Sequence, residues 1–410
     1  MKWSFEKIGN LCRIKHGFAF KGEFFTDSGE FILLTPGNFN ETGGLKLKGD
    51  KEKYYRGEIP ADFILEEGDL LIVLTDLMQN APILGGAAFI PVSNRFLHNQ
   101  RLGKVEHLNL SRIDAKFFFY CLNDESYRGQ VRSSATGSTV RHSAPERVYN
   151  CQIPLPPLPT QQKIAAILSA YDDLIENNLR RIRLLEEAAQ HLYREWFVRF
   201  RFPGWEEVKV VDGLPEGWER KKIGEVCEAV GGGTPSTKEP KYWDGGEIIW
   251  FSPTDLSKNS SLVLLDSTSK ITEEGLKNSS AKLLPPRTIL MSSRATIGLF
   301  GIISKHCSTN QGFISIIPNE EHFRFYLLFN LLHRKQEIIN NANGSTFKEI
   351  TKKNFREMEI LMPSDELAKR FYGSTEAFLN QIENLEMQNQ KLKEARDILL
   401  PRLMNQTIEI

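Results

Sequence analysis

Lysine and arginine cluster in this sequence beside glycine and aromatic residues, a combination better suited to holding phosphates than to making or breaking bonds. Lys46, Lys48, Lys51, Lys53 and Arg56 crowd a Gly-rich stretch next to Tyr54 and Tyr55, and Arg128, Arg132 and Arg141 flank Gly137-Ser138-Thr139. Thr237, Lys238, Lys241 and Tyr242 follow a run of glycines, Arg294 ends Ser292-Ser293-Arg294, and Lys348, Lys352 and Lys353 follow Gly344-Ser345-Thr346. Lys and Arg hold phosphate oxygens, while Arg, Asn and Gln read base edges in the major groove. Any one lysine is better read as a solvated side chain. The recurrence of such clusters in both halves of the chain points instead to double-stranded DNA, with Lys46, Lys48, Arg56, Arg132, Arg141, Thr237, Lys238, Lys241, Tyr242, Arg294 and Lys348 as candidate contacts.

No stretch assembles an active site. Gly231-Gly232-Gly233-Thr234-Pro235 is Gly-rich, but its proline bars a helix from opening directly on a phosphate, so a tight loop is expected. Glu239-Pro240-Lys241 matches half of a nuclease triple without the Pro-Asp that should precede it. Gly137-Ser138-Thr139 lacks the flanking pattern of a nucleophile turn. The eight histidines contain no His-x-x-x-His pair, and the five cysteines, Cys12, Cys121, Cys151, Cys227 and Cys307, contain no Cys-x-x-Cys pair. Neither a metal site nor a catalytic residue is expected, and the cysteines read as reduced core thiols. A methylase Asn/Asp-Pro-Pro-Tyr/Phe motif and an ATP-binding loop are both missing.

The elements that must position these clusters are two long helices. From Ile164 the apolar residues fall at alternating steps of four and three through Leu168, Tyr171, Ile175, Ile182, Leu185, Ala189, Leu192 and Trp196, with Asn178 as the one interruption. That heptad seam predicts a helix over 158–201 that needs a partner, capped at Thr160 after Pro156, Pro157 and Pro159. Adding 207 to each position yields a second seam, Phe371, Thr375, Phe378, Ile382, Leu385, Asn389, Leu392, Arg396, Leu399 and Leu403. The same offset carries Gly137-Ser138-Thr139 onto Gly344-Ser345-Thr346 and Pro156 onto Pro363. An offset of 215 carries Trp3 onto Trp218, Gly9 onto Gly224 and Cys12 onto Cys227. The chain is therefore two copies of a unit, each a mixed domain followed by a helix. The predicted layout is a first recognition domain over 1–157, a helix over 158–201, a linker over 202–213, a second domain over 214–363 and a helix over 364–410.

Parallel pairing in register would set Asn178 against Leu385 and Ile182 against Asn389. An unpaired buried amide costs on the order of 1–3 kcal/mol. Antiparallel pairing about a pseudo-twofold axis near Arg180 and Met387 sets Asn178 against Asn389, Ile182 against Leu385, Ala189 against Phe378 and Ile164 against Leu403. It also sets Tyr171 against Arg396, a cation–π arrangement. The expected fold is α+β: two mixed domains separated by two long helices paired as an antiparallel coiled coil. Phe31–Leu34 and Asp69–Leu74 read as strands within it and Ala115–Leu122 as a short helix.

With 410 residues, 25% charged and 40% apolar, the chain is long enough for two or three domains with ordinary globular cores. The formal net charge is zero, so DNA binding must come from local patches rather than bulk charge. No apolar run is long enough to cross a membrane and the first residues lack a signal-peptide layout, so a cytoplasmic location is expected.

Several stretches resemble the DNA-specificity subunit of type I restriction-modification systems. Ile153-Pro154-Leu155-Pro156-Pro157-Leu158-Pro159-Thr160-Gln161-Gln162-Lys163-Ile164 is similar to that family's lead-in to its spacer helix, with Gln161 where Glu is usual. Gly232-Gly233-Thr234-Pro235-Ser236, Tyr242-Trp243, Ile249-Trp250, Asp255, Arg294-Ala295-Thr296-Ile297-Gly298, Asn310-Gln311-Gly312-Phe313 and Phe197-Val198-Arg199-Phe200 resemble its later motifs. The first domain departs from the pattern, lacking the Gly-Gly-Thr-Pro-Ser and Arg-x-x-Ile-Gly stretches. The resemblance implies a non-catalytic reader whose two domains each bind half of a split DNA site, while the helices set the spacer and carry two methyltransferase subunits. Nuclease-translocase subunits would complete the enzyme, and S-adenosylmethionine, ATP and Mg would belong to the partners. The residues alone leave open a coiled-coil scaffold that binds proteins and no DNA.

Overall fold

The strand Leu70–Val73 is buried along its whole length, as its unbroken Leu-Leu-Ile-Val run demands of a strand covered on both faces. It lies third in a four-stranded sheet whose order is Arg13–His16, Leu102–Glu106, Leu70–Val73, Ala87–Phe89. A computed structural model of the protein describes residues 3–211, 213–343 and 348–408, Asp50 by its backbone alone. Gly344-Ser345-Thr346 lies outside the described residues. The chain divides into two units, Met1–Asp173 with Leu392–Ile410, and Leu174–Lys391.

The second unit repeats the first sheet in the same order: Cys227–Gly231, Phe313–Pro318, Ile289–Ser292, Phe300–Ile303, with Val263–Leu264 added at the edge. Each unit also holds a smaller sheet built on a parallel pair. In the first, Phe31–Leu33 runs beside Phe96–Leu97; in the second, Ile248–Phe251 runs beside Cys307–Thr309. A framing antiparallel pair closes each unit, Ser4–Lys7 with Gln152–Leu155 and Glu219–Lys222 with Glu359–Met362. Short helices cover the sheets, among them Ala115–Asn123, whose N-terminus is capped by Asp114 accepting from Phe117 N.

The first long helix spans Leu158–Tyr193 and passes into a π-helical turn over Arg194–Val198. It begins two residues before the expected cap at Thr160. Proline in the first turn removes only an amide that the helix leaves unpaired, so Pro159 is accommodated inside it. The start is held by Gln161, which is fully buried. Its Oε1 accepts from Asp114 N at 2.8 Å and its Nε2 donates to Arg112 O at 2.9 Å and Pro156 O at 2.8 Å. A carboxylate there would face two carbonyl oxygens with no proton to offer them.

The second long helix spans Asp365–Met404. In the first unit, Leu403 and Met404 share a core with Ile164 and Leu168, while Arg396 reaches Asp172 at 2.6 Å. Low numbers on one helix meet high numbers on the other, so the segments run antiparallel. In the second unit Asn178 Nδ2 donates to Asn389 Oδ1 at 3.0 Å, and Ile182, Ala189, Leu379, Ile382 and Leu385 enter the core. The expected cation–π contact of Arg396 with Tyr171 is replaced by ion pairs with Asp172 and with Asp397 at 2.8 Å. A carboxylate offers a full charge where a ring face offers a quadrupole, and Tyr120 steadies Asp172 by donating to its second oxygen at 2.6 Å.

Candidate nucleic-acid interface

The two units build the same backbone device from unlike sequences. In the second unit, Gly233 N donates to Thr309 O at 2.8 Å, and a Cβ on Gly232 would stand 2.2 Å from Asn310 O. In the first, Phe18 N donates to His98 O at 2.9 Å, and a Cβ on Gly17 would stand 2.1 Å from Asn99 O. Each asparagine then turns the chain by accepting from an amide two residues on, Asn99 from Arg101 at 3.0 Å and Asn310 from Gly312 at 2.8 Å. Glycine is required at both sites because backbone passes against backbone.

A second shared device lies at the end of the third strand in each sheet. Ser143 N donates to Leu74 O at 2.9 Å, and Ile350 N donates to Ser293 O at 3.0 Å. Thr75 and Asp76 pair with His142 and Arg141, as Arg294 pairs with Glu349. Thr75 thus stands where the second unit has Arg294, and its Oγ1 lies 2.9 Å from His142 Nδ1. Composition alone singles out neither Thr75 nor His142; only the matched register of the two sheets does.

The candidate cations have different fates. Lys46, Lys238 and Lys348 are exposed, as is Thr237. Arg294 is half-buried and has no carboxylate within ion-pair distance among the described residues. Lys48 turns inward, donating to Thr35 Oγ1 at 3.0 Å and Asn38 Oδ1 at 2.8 Å, and burial pulls its ammonium below the usual lysine range while Glu52 opposes that shift. Arg56 donates to Ser28 Oγ at 3.2 Å and remains exposed. Arg132 pairs with Glu125, and Arg141 Nη2 donates to Arg132 O at 2.8 Å. Lys241 pairs with Glu274 at 2.6 Å and lies 5.4 Å over the ring of half-buried Tyr242.

Thr234 Oγ1 donates to Gln311 Oε1 at 2.6 Å, linking the Gly-rich loop to the Asn310 turn. Lys352 lies against Gly231, where a Cβ would stand 3.0 Å from its Nζ. With Lys222, Lys353 and Arg356 it lines a cleft of 390 Å³ that Glu225 and Glu357 also line, Lys222 being paired with Glu357 at 2.6 Å.

The described residues contain no group of three or more His, Cys, Asp or Glu side chains placed to hold a metal ion. Burial pushes the thiols of Cys12, Cys227 and Cys307 up to about 12 and that of Cys151 to about 11, which keeps them protonated at neutral pH. Burial also pulls His98 down to about 4, so it stays neutral.

The family model of the type I restriction modification DNA specificity domain matches residues 1–187 and again 215–394. The chain belongs to this family. The specificity subunit of the type I restriction enzyme MjaIX from Methanocaldococcus jannaschii is 37% identical over 203 residues, 48% of this chain and 46% of that one. The alignment therefore spans about half the length of that relative. The specificity subunit of the type I restriction enzyme HindI from Haemophilus influenzae is 26% identical over 366 residues, 72% of this chain and 78% of that one. A crystal structure of the S subunit of a type I restriction-modification system from M. genitalium shares the fold at a TM-score of 0.59 and 16% identity, over 98% of this chain and 96% of that one. The two family matches fall on the two copies of the sheet, so the internal repeat is a repeat of the specificity domain.

Within this specificity-domain frame the Gly-Gly-Thr-Pro-Ser stretch of the second unit is the glycine device, of which the first unit keeps Gly17 alone. Trp250 Nε1 donates to Gly233 O at 3.0 Å, and Trp243 Nε1 donates to Ser236 O at 3.1 Å. The two tryptophans thereby hold the loop that carries Thr237 and Lys238. Among the described residues no helix is long and apolar enough to cross a membrane.

Proposed function

We propose that the chain is the DNA-reading, non-catalytic subunit of a type I restriction-modification complex in the cytoplasm. Each unit reads one half of a bipartite double-stranded site. The paired helices set the unread spacer and dock two methyltransferase subunits, to which nuclease-translocase subunits add. S-adenosylmethionine, ATP and Mg are bound by those partners. What supports this reading is a shared frame with unlike tips: the same strand order and the same glycine device recur in both units, while Thr75 in one takes the place of Arg294 in the other. A frame held constant under two different loop sets suits two reading heads for two sequences. Lys46, Arg56, Thr237, Lys238, Arg294 and Lys348 are the phosphate and base contacts of this reading; Lys48, Arg132, Arg141 and Lys241 with Tyr242 shape and charge the loops around them.

Reconstitution tests it. The chain alone, given S-adenosylmethionine and duplex DNA, should transfer no methyl groups. Mixed with its partner methyltransferase subunits, it should direct methylation to one split sequence, with binding that weakens steeply as salt rises. Methyl transfer by the isolated chain, or a complex indifferent to both DNA sequence and salt, would overturn the proposal in favour of an enzyme or a protein scaffold.

A further inference from the structure

The loop after the third strand differs in length between the units. It runs over 293–299 in the second unit and over 74–86 in the first. The longer loop is tied at its base, where Gly85 N donates to Val73 O and Val73 N donates to Gly86 O, both at 2.9 Å. Inside it the buried Asp76 carboxylate accepts from Met78 N at 2.9 Å through one oxygen and from Ile83 N at 2.8 Å through the other. Ala81 and Leu84 are 1% and 0% exposed and anchor the loop in the core. Buried Arg128 donates to Pro82 O from below and to Glu41 O beside it. The result is a compact loop with joined ends and a fixed backbone, of the kind that carries function.

What this scaffold holds up is the tetrapeptide Leu77-Met78-Gln79-Asn80, all four residues exposed, with Leu77 at 55% and Met78 at 56%. Two large apolar side chains in water on a fixed loop gain nothing for folding. The tip also carries no charge, so it is no general phosphate hook. Gln and Asn are the side chains that bond bidentately to adenine N6 and N7, and apolar side chains pack on the thymine methyl. Guanine is read chiefly by Arg or Lys, which the tip lacks. Arg141, whose backbone pairs with Asp76, brings a cation to its base beside the Asp76 carboxylate, while Arg132, whose carbonyl it bonds, is already paired with Glu125.

Resting on the DNA-reading proposal above, we infer that Leu77-Met78-Gln79-Asn80 reads A·T base pairs in the major groove for the half-site of the first unit. Gln79 or Asn80 takes the adenine edge, and Leu77 and Met78 pack on the thymine methyl.

The test uses the full chain assembled with its methyltransferase subunits. Methylated motifs are mapped by sequencing for wild type, Gln79→Ala/Asn80→Ala and Leu77→Ala/Met78→Ala. In parallel, duplexes carrying the wild-type site are bound with deoxyuridine replacing thymine, one position at a time. One half-site should contain an A·T pair at which the Gln79→Ala/Asn80→Ala complex loses discrimination by roughly 10- to 100-fold, while the other half is unchanged. Removing the methyl at that pair should weaken wild-type binding several-fold and leave Leu77→Ala/Met78→Ala binding unaltered. Half-sites without A·T pairs, motifs unchanged by both variants, or equal sensitivity to deoxyuridine in wild type and variant would each overturn the inference while leaving the DNA-reading proposal standing. A wild-type complex that directs no sequence-specific methylation would overturn both. The uridine series on wild type needs no variant to fold.

Discussion

Asn178 and Asn389 sit buried in the helix seam at 6% and 0% exposure, and each satisfies part of the other's amide. Asn178→Leu alone strands the Asn389 amide among apolar side chains and should cost about 1–3 kcal/mol in chemical unfolding of the full chain, and Asn389→Leu less, because Asn178 Nδ2 still donates to Gln388 Oε1 at 3.4 Å. The double variant should recover most of that loss, because two leucines pack where two amides bonded. Additive losses would show that the pair is not coupled. Glu186 makes a second residue-scale case. Its Oε1 accepts from Leu262 N at 2.5 Å, yet burial pushes its carboxyl up to about 7 from an ordinary 4.5, with Glu386 adding to the rise. The folded value lies above the unfolded one, so the unfolded chain releases the proton more readily. The stabilising contribution is fully present below about pH 4.5 and is lost as pH rises through 7. Glu186→Gln keeps the acceptor and removes the titration. The stability of the variant relative to wild type should rise between pH 4.5 and 8 by on the order of 2–3 kcal/mol in urea unfolding; a gap independent of pH would refute the assignment.

At the scale of elements, the glycine device decides how each smaller sheet meets its loop. Gly17→Ala and Gly232→Ala each push a methyl group into backbone carbonyls, with Asn99 O at 2.1 Å and Asn310 O at 2.2 Å. Backbone of this kind cannot swing aside as a flexible side chain does, so each substitution should destabilise its own unit by roughly 2 kcal/mol or more. In the reconstituted complex, Gly17→Ala should blur one half of the methylated motif and Gly232→Ala the other. Loss of both halves from either single change would argue against independent reading. The π-helical turn at Arg194–Val198 is another element-scale decision. It carries Phe197 into the core, where its ring stands 4.8 Å from those of Tyr326 and Phe371. An unbroken α-helix would advance the same side chain to a different angle.

For the whole molecule, the repeated frame predicts modularity. Replacing residues 1–157 with the corresponding domain of a family member should change one half of the recognised sequence and leave the other half and the spacer as they were, read by methylome sequencing of cells carrying the hybrid. A changed spacer, or both halves altered, would contradict it. The zero formal net charge gives this prediction its contrast. With no bulk attraction to DNA, the proposed reading puts affinity on loop side chains, so exchanging them should exchange specificity.

The seams at Ile164–Trp196 and Phe371–Leu403, the two copies of the domain and the antiparallel register were legible in the residues, because helical period and internal offset are local and repeated. Tertiary structure alone decided the order of the sheets, which sets Thr75 and Arg294 in matching places despite unlike sequence. It also decided where the cations go. Glu125 claims Arg132, Glu274 claims Lys241 and Asp172 claims Arg396. Lys352, beside its neighbours in sequence, came to rest against Gly231. A side chain's charge is written in its type, but its partner is set by distance in space, and most of these partners lie far away along the chain. The tip Leu77-Met78-Gln79-Asn80 was silent in the sequence for a related reason: it has no charge and no period, and it is the buried Asp76, Arg128, Ala81 and Leu84 in the folded chain that show it is held in place.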